Sequence, residues 1–340
     1  MLTYDERLSI ALKKEHSKVI DREKGELYPS VAENLNACPV CGENDYGIYC
    51  VKDNFVHKRC TACDLVYVDP RLNQEATVAF YNSDVNEIYN EEKFHGIAEN
   101  APDNLENLKN YGLLKKHVRD AKGKKLLEIG PGKGTFLAKA ASEGFEVYAI
   151  ELNKLLIENL KKTTENIYDK DILELDLPKD FFDVIYFRDV MEHIPNMKPF
   201  LQKVADILKP GGIVFIDTHN IDSLINRATK DYHTVIFAFE HPVHWSPKTL
   251  SLAGEKVGLR PVKVYFDYIN LSLGRIIHHH LVPSFTYIYP PERGQISKFI
   301  LGKLLRILDI KFISRIDKSL CRMIAKLFRS GAKMQVLFTK

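Results

Sequence analysis

The stretch KLLEIGPGKGTF, from Lys125 to Phe136, decides the fold. It begins as a short apolar strand, passes three glycines at alternate positions and continues into the helical pattern FLAKAAS. Gly130, Gly132 and Gly134 let the backbone pass close to a ligand, and the amides at the start of the helix can face an anion. This strand, loop and helix predict the first unit of a parallel α/β sheet.

Composition narrows the class of protein. The chain has 340 residues, of which 45% are apolar and 27% are charged. These values are typical of a globular protein and exclude disordered, collagenous and multi-span membrane proteins. The N-terminal stretch MLTYDERLSIALKKEHSK carries scattered charges and lacks an uninterrupted apolar run, so we expect no signal peptide and a cytoplasmic protein.

A second predicted strand, Glu146–Ile150, ends at Glu151, where an acid would bind a ribose diol. Gly130 and Glu151 are 21 residues apart, the spacing of one nucleotide-binding βαβ unit. A dinucleotide fingerprint needs a small residue at position 135 so that the helix can approach the strand, and this chain has Thr135 there. Thr135, with the third glycine already at Gly134, therefore disfavours a dinucleotide cofactor.

The pattern Glu128-x-Gly-x-Gly-x-Gly134 resembles the first motif of class I S-adenosylmethionine-dependent methyltransferases. Further stretches resemble later motifs of that family and keep their order: Asp171-Ile172 after a strand-like Asn166-Ile-Tyr, Phe182–Phe187 followed by Arg188–Pro195, and Leu208–Ile216. The resemblance implies an α/β fold built on a Rossmann-like seven-stranded methyltransferase sheet. It also implies a methyltransferase enzyme.

The same resemblance implies the cofactor S-adenosylmethionine and a set of residues that bind it: Glu128, Gly130, Gly132, Gly134, Glu151, Leu152, Asp171 and Ile172. The glycines would pass under the methionine part, and the acid before them would orient the loop or the amino group. Glu151, after the second strand, would hold the ribose hydroxyls, with Leu152 beside the adenine. Asp171 would accept a hydrogen bond from the adenine amine, and Ile172 would pack on the adenine ring. The alternative for Glu128 and Asp171 is that they are solvated acids in loops.

Four of the six cysteines, Cys38, Cys41, Cys60 and Cys63, follow the pattern Cys-x2-Cys-x18-Cys-x2-Cys. Two such knuckles can close a tetrahedral shell of sulfurs around zinc, with a small hairpin between them. Because protein would fill all the ligand positions, we expect a structural zinc without a catalytic role. The alternative is that the cysteines only pack or form disulfides.

Candidates for acid–base work lie in the stretch FEHPVHWSP, Phe239–Pro247, just before a predicted helix. They are Glu240, His241 and His244, because imidazoles titrate near neutrality and a neighbouring carboxylate can fix their tautomer. The stretch resembles one in methyltransferases that also carry an N-terminal zinc module, among them sugar C-methyltransferases. His193 is a further catalytic candidate. The alternative is that the first two histidines only cap and pack the helix start.

The acceptor is less well defined by the sequence. Methyltransferases of this fold that act on planar amines usually carry Asn/Asp-Pro-Pro-aromatic after the fourth strand, and this chain has Arg188-Asp-Val-Met there. An exocyclic nucleobase amine is therefore disfavoured as the acceptor. The resemblance to sugar C-methyltransferases implies a small-molecule acceptor, a sugar or glycan precursor of polysaccharide biosynthesis, nucleotide- or lipid-linked, methylated on oxygen or carbon. The alternative is an RNA-binding or RNA-modifying protein. The net charge of −7 over residues 1–292 disfavours nucleic acid.

We expect the chain to be organised in four parts: a helical segment at 1–35, a zinc ribbon at 36–70, a helical connector or lid at 71–120, and the methyltransferase domain at 121–340. Leu259–Asp267 and Lys333–Thr339 alternate like the sixth and seventh strands of the sheet. A helical C-terminal insertion, at about 270–331, would separate these two strands.

The insertion is strongly basic. From Arg293 to Lys340 there are 12 Lys and Arg residues against 2 Asp, a net charge of +10 that predicts an anionic partner. Apolar residues recur there at helical spacing: Ile313, Ile316, Leu320, Met323, Ile324 and Leu327. Such a helix can lie on an anionic membrane surface, so peripheral contact through about 298–329 is one expectation. The alternative is a helix that packs its apolar face on the domain.

Overall fold

The computed structural model of the protein describes residues 3–95, 102–230, 235–268, 288 and 311–340. The chain divides into two compact units, each assembled from three stretches. The cysteine unit consists of Met1–His95, His219–Ser246 and Phe266–Lys333. The sheet unit consists of Gly96–Thr218, Pro247–Tyr265 and Met334–Lys340.

Helices and strands are numbered in chain order within the described residues. The helices are α1 Tyr4–Val19, α2 Gln74–Tyr81, α3 Asp84–His95, α4 Pro102–Leu114, α5 Thr135–Ser142, α6 Lys154–Leu160, α7 Met197–Ile207, α8 Leu224–Thr229, α9 Pro247–Glu255 and α10 Lys311–Leu327. The strands are β1 Ile20–Asp21, β2 Glu26–Leu27, β3 Ala32–Glu33, β4 Tyr46–Lys52, β5 Phe55–Cys60, β6 Val66–Val68, β7 Arg71–Leu72, β8 Lys125–Ile129, β9 Glu146–Ile150, β10 Ile167–Tyr168, β11 Phe182–Arg188, β12 Leu208–His219, β13 Val243–His244, β14 Arg260–Asp267 and β15 Lys333–Thr339.

A seven-stranded sheet has the order β10-β9-β8-β11-β12-β15-β14. Strand β8 pairs in parallel with both neighbours, so that Leu126 lies opposite Val147 on one side and Val184 on the other. Its residues Leu126 and Leu127 are fully buried, as expected when both faces of a parallel sheet are covered. The predicted α/β fold with a seven-stranded, mostly parallel sheet is confirmed, and β14 and β15 are the predicted sixth and seventh strands.

A stack of aromatic rings fixes helix α5 directly after the glycine loop. The ring centroid of Phe136 lies 3.7 Å from that of Tyr186, which lies 5.7 Å from that of Phe215. All three side chains are fully buried. Asn110 of α4 donates a hydrogen bond of 3.0 Å to the Tyr186 hydroxyl, so the stack also holds α4. The first turn of α5 is thereby anchored over the centre of the sheet.

The cysteine unit contains a four-stranded antiparallel sheet with the order β13-β6-β5-β4. Strands β4 and β5 form a hairpin in which Tyr46 lies opposite Cys60. Strand β13 pairs with β6 at the edge of the sheet farthest from β4, so that Val243 lies opposite Tyr67. The stretch that carries His244 is therefore part of the same sheet as the cysteine hairpin.

Aromatic packing fixes the backbone immediately before Glu240. The ring of Phe239 lies 4.9 Å from that of Phe80 and 5.2 Å from that of Phe55, between centroids. All three rings are buried in one apolar cluster of the cysteine unit. The position of Glu240 is thus set by burial of the residue before it.

Of the predicted helical insertion, the structure describes Ile288 and residues 311–331, which include helix α10. The remaining residues, 269–287 and 289–310, lie outside the described part of the chain, and so do the first residues of the predicted membrane-contact segment. Within the described residues, no helix combines the length and the apolar character needed to cross a bilayer.

Two glycines of the sheet unit provide a test of its packing. A β-carbon at Gly254 would lie 2.5 Å from Cε1 of the buried Phe338, whereas one at Gly112 would meet no described atom within 4 Å. We expect Gly254→Ala to lower the free energy of unfolding by about 1–3 kcal/mol through overpacking. Gly112→Ala, inside α4, should raise it by about 0.5–1 kcal/mol. Urea unfolding measures both, and equal effects would contradict the close packing at Gly254.

Candidate functional site

Three left-handed glycines form the loop between β8 and α5. Gly130, Gly132 and Gly134 have φ values of 68°, 55° and 77°, in a region that glycine adopts without strain. A β-carbon at Gly134 would lie 2.5 Å from Cδ2 of Leu160, and one at Gly130 would lie 3.0 Å from Cγ2 of Val190. At Gly132 no described atom lies within 4 Å of such a carbon. The loop is therefore closely packed at its ends and open at its centre, where a ligand can approach the backbone.

Glu151 connects the end of β9 to this loop. Its carboxylate accepts hydrogen bonds from the backbone amides of Gly132, at 3.2 Å, and Asn153, at 2.9 Å. The neighbouring Leu152 is 62% exposed. A fixed carboxylate beside an exposed apolar side chain is compatible with the predicted contacts to ribose hydroxyls and to a flat ring.

Glu128, the last residue but one of β8, is buried next to the glycine loop. Burial raises the pKa of its carboxyl to about 8, and the charge of Arg188 opposes this shift only in part. Among the described residues its Oε2 has no hydrogen-bond partner. A buried carboxyl oxygen without a partner costs free energy, which a cationic or N–H ligand would recover.

The other predicted residues of the sheet unit lie in two 3-10 turns. Asp171 is exposed and accepts a hydrogen bond from the Leu173 amide, at 2.8 Å, which starts the turn Ile172–Glu174. Ile172 itself is only 2% exposed, so it lies in the core beneath this turn. His193 ends the turn that follows β11 and is half-buried.

Four histidines lie close together in the cysteine unit. Nδ1 of His57 is 3.2 Å from Nε2 of His244. The ring centroid of His241 lies 6.5 Å from that of His244 and 5.9 Å from that of His219. The predicted candidates His241 and His244 are therefore neighbours, and Glu240 adjoins them in sequence. His57 and His219 belong to the same cluster and were not predicted.

Burial sets the protonation of two histidines of this cluster. Burial lowers the pKa of His57 to about 3 and holds the pKa of His244 well below its usual value. Both rings are thus neutral at pH 7, and one donates to the other. His241 donates from Nδ1 to the Val235 carbonyl, at 2.8 Å, because a carbonyl oxygen only accepts. In the neutral ring of His241 the lone pair therefore lies on Nε2, which can accept a proton.

The four predicted metal ligands come together at the cysteine hairpin. The sulfurs of Cys38 and Cys63 are 3.6 Å apart, those of Cys41 and Cys60 are 3.4 Å apart, and all four lie within 4.8 Å of one another. Tetrahedral zinc with Zn–S bonds of about 2.3 Å separates its sulfurs by about 3.8 Å. The donor type and the spacing fit a tetrahedral thiolate-bound ion such as zinc.

Residues 89–264, just over half of the chain, match a family model described as a methyltransferase domain. The chain belongs to this methyltransferase family. Its matched region contains the glycine loop, Glu128, Glu151 and the turns after β10 and β11. The prediction of the family is confirmed, and S-adenosylmethionine is the cofactor expected at the glycine loop.

Curated relatives include a ubiquinone biosynthesis O-methyltransferase of Rickettsia typhi, 33% identical over 141 residues that cover 40% of this chain and 54% of the relative. The enzyme of the same name from Idiomarina loihiensis is 29% identical over 144 residues, covering 40% of this chain and 57% of the relative. This chain thus spans about half the length of the curated relatives it matches. Among solved structures, a SAM dependent methyltransferase from Archaeoglobus fulgidus is 20% identical, covering 69% of this chain and 94% of that one, with a TM-score of 0.45.

The pKa of Glu128 predicts how cofactor affinity depends on pH. A sulfonium cofactor favours the ionised carboxylate, so below about pH 8 binding must also remove a proton. We expect the dissociation constant for S-adenosylmethionine to fall by up to about tenfold per pH unit as the pH rises toward 8, and then to level off. Isothermal titration calorimetry across this range measures it. Glu128→Gln, which keeps the shape but cannot ionise, should bind more weakly and lose this slope. An equal slope in both proteins would contradict this role.

The thiolate cluster predicts a zinc-dependent fold of the cysteine unit. We expect metal analysis to find about one zinc per chain. Cys60→Ser should lower the zinc content, and it should lower the free energy of unfolding by at least about 3 kcal/mol. Cys50→Ser is the matched control, because Cys50 lies in the same hairpin but outside the cluster. A Cys60→Ser protein that retained its zinc and its stability would be inconsistent with a metal at these sulfurs.

Proposed function

We propose that the protein transfers a methyl group from S-adenosylmethionine to a small-molecule acceptor. The observation that carries this proposal is the buried carboxyl of Glu128 beside the left-handed glycine loop, with an oxygen that no described residue satisfies. A ligand with an ammonium and a sulfonium group supplies the missing positive charge. Membership of the methyltransferase family supports the same cofactor.

The chemistry divides between cofactor and protein. Bound S-adenosylmethionine supplies a methyl group that is already activated by the sulfonium charge. The protein then has to hold an acceptor in line with this methyl group, which can account for several kcal/mol of the barrier. A base is needed only when the acceptor, such as a hydroxyl or an acidic carbon, must lose a proton.

We infer that His241 is this base. Its Nδ1–H is committed to the Val235 carbonyl, so Nε2 is the atom that accepts the proton. Glu240 is next in sequence and can favour the protonated imidazolium after the transfer. His244 is a weaker base because it is buried, paired with His57 and depressed in pKa. His193 of the sheet unit is retained as a second candidate for proton transfer.

For the acceptor we propose a sugar or a glycan precursor, linked to a nucleotide or lipid and methylated on oxygen or carbon. The support is the resemblance of the Glu240–Ser246 stretch, together with the N-terminal zinc module, to sugar C-methyltransferases. O-methylation in ubiquinone biosynthesis is the second candidate, because the curated relatives carry that name. Their similarity covers about 40% of this chain, which leaves the acceptor of this protein open to direct test.

The test uses S-adenosylmethionine labelled in its methyl group, with a panel of nucleotide sugars, glycolipids and ubiquinone precursors, and mass spectrometry of the products. For the acceptor found, we expect His241→Gln to lower kcat by about 10²–10⁴-fold while the affinity for the cofactor stays unchanged. His117→Gln is the matched control, since His117 is bonded to Tyr265 in the sheet unit, outside the candidate site residues.

Two results would overturn parts of this proposal. If neither S-adenosylmethionine nor its demethylated product gives a calorimetric signal with the protein, the cofactor assignment fails. If His241→Gln and His117→Gln have equal activity, the transfer stands but His241 is not the base.

A further inference from the structure

The second half of helix α10 has an inner face that packs on the cysteine unit. Cys321 and Ala325, one turn apart, contact a cluster formed with Ile225 of α8, Tyr268 and Ala332. Ala325 is fully buried, and Cys321 is half-buried. This face holds the helix in place and leaves the remainder of its surface outside the cluster.

The end of α10 is fixed by hydrogen bonds. The Ser330 amide donates to the Ala325 carbonyl, at 2.8 Å, and the Ser330 hydroxyl accepts from the Leu224 amide, at 2.7 Å. The Asn220 side chain donates to the Gly331 carbonyl, at 3.0 Å. Residues 320–329 are therefore attached to the cysteine unit both by packing and by their C-terminal anchor.

A contiguous apolar surface lies on another side of this helix and directly after it. Its members share large apolar side chains exposed to solvent and follow helical spacing, and we call them the outer face: Leu320, Met323, Ile324, Leu327 and Phe328. Leu327 is 78% exposed, Phe328 66% and Met323 62%. A contiguous exposed apolar patch of this kind marks a contact with a membrane or another macromolecule.

From Ser319 onward, the charges along the helix and after it are all of one sign. Arg322, Lys326 and Arg329 are exposed beside the outer face, and no acidic residue occurs between Ser319 and Lys340. Protein interfaces usually surround an apolar centre with polar groups of mixed character. Long aliphatic chains and a phenyl ring, in a stretch from Ser319 onward whose charged residues are all basic, instead match a helix lying in the headgroup region of an anionic bilayer.

We propose that α10 is a membrane-contact helix. Its outer face enters the boundary between headgroups and acyl chains, and Arg322, Lys326 and Arg329 pair with lipid phosphates. Because these three side chains are positively charged, the contact fits an anionic leaflet and not a neutral one. This contact does not depend on methyl transfer, and its failure would leave the proposed function untouched.

The experiment measures partition of the full chain into vesicles of phosphatidylcholine alone and into vesicles in which part of this lipid is replaced by phosphatidylglycerol. We expect binding to the anionic vesicles only, weakened by salt. Arg322→Gln with Lys326→Gln should lower the partition coefficient by about twenty-five-fold, since each basic residue near the surface contributes about fivefold. Leu327→Gln with Phe328→Gln should lower it by at least about tenfold.

A matched control keeps the number and kind of substitutions but moves them away from α10. Ile10→Gln with Ile48→Gln removes apolar side chains that are 56% and 59% exposed elsewhere in the cysteine unit, and it should bind as the unchanged protein does. Thermal unfolding of each variant confirms that it is folded before binding is compared.

Three outcomes would overturn the proposal. Equal partition into neutral and anionic vesicles removes the charge argument, and an absence of binding to both removes the surface altogether. If the Leu327 and Phe328 substitutions leave vesicle binding intact but change the molecular mass in solution, the outer face is a contact between copies of the chain.

Discussion

Close packing of the glycine loop governs the geometry of the sheet unit. At Gly134 the chain leaves no room for a β-carbon beside Leu160, and two residues later Phe136 enters the aromatic stack over the sheet. Strand, loop and helix are thus held in one arrangement. Glu128 and Glu151 reach the loop from adjacent parallel strands, so their separation is set by the sheet and not by flexible chain.

The two acids at the loop differ in how well the protein stabilises their negative charge. Glu128 is buried where its charge is poorly solvated, and the Arg188 guanidinium that opposes this effect is itself paired with Glu106 at 2.8 Å. Glu151, in contrast, is satisfied by backbone amides at the open centre of the loop. One acid is therefore prepared to stabilise a cation, while the other is already positioned by the fold.

Local spacing explains why much of this could be predicted from the sequence. The glycine loop, the acid at the end of the next strand and the paired cysteines each depend on a short stretch of chain. The seven-stranded sheet was implied by the resemblance of several ordered motifs to the methyltransferase family. The His57–His244 contact could not be predicted in this way, because it joins residues 187 apart and depends on how β13 pairs with β6. Alternation along β5 nevertheless places His57 on its buried side, next but one to Phe55, a signal that could have been used. Likewise, helical periodicity predicted the apolar positions of α10. It could not predict which of these side chains the rest of the protein covers.

The position of β15 has a consequence for biosynthesis. This strand, Lys333–Thr339, lies inside the sheet between β12 and β14, although both neighbours are made earlier. On the ribosome, the edges of β12 and β14 stay unpaired until residue 339 has emerged, and open edges invite pairing with other chains. The nascent polypeptide thus passes the interval between Asp267 and Thr339, the last fifth of its translation, with a gap in its sheet, a period in which a chaperone that shields strand edges would be of most use.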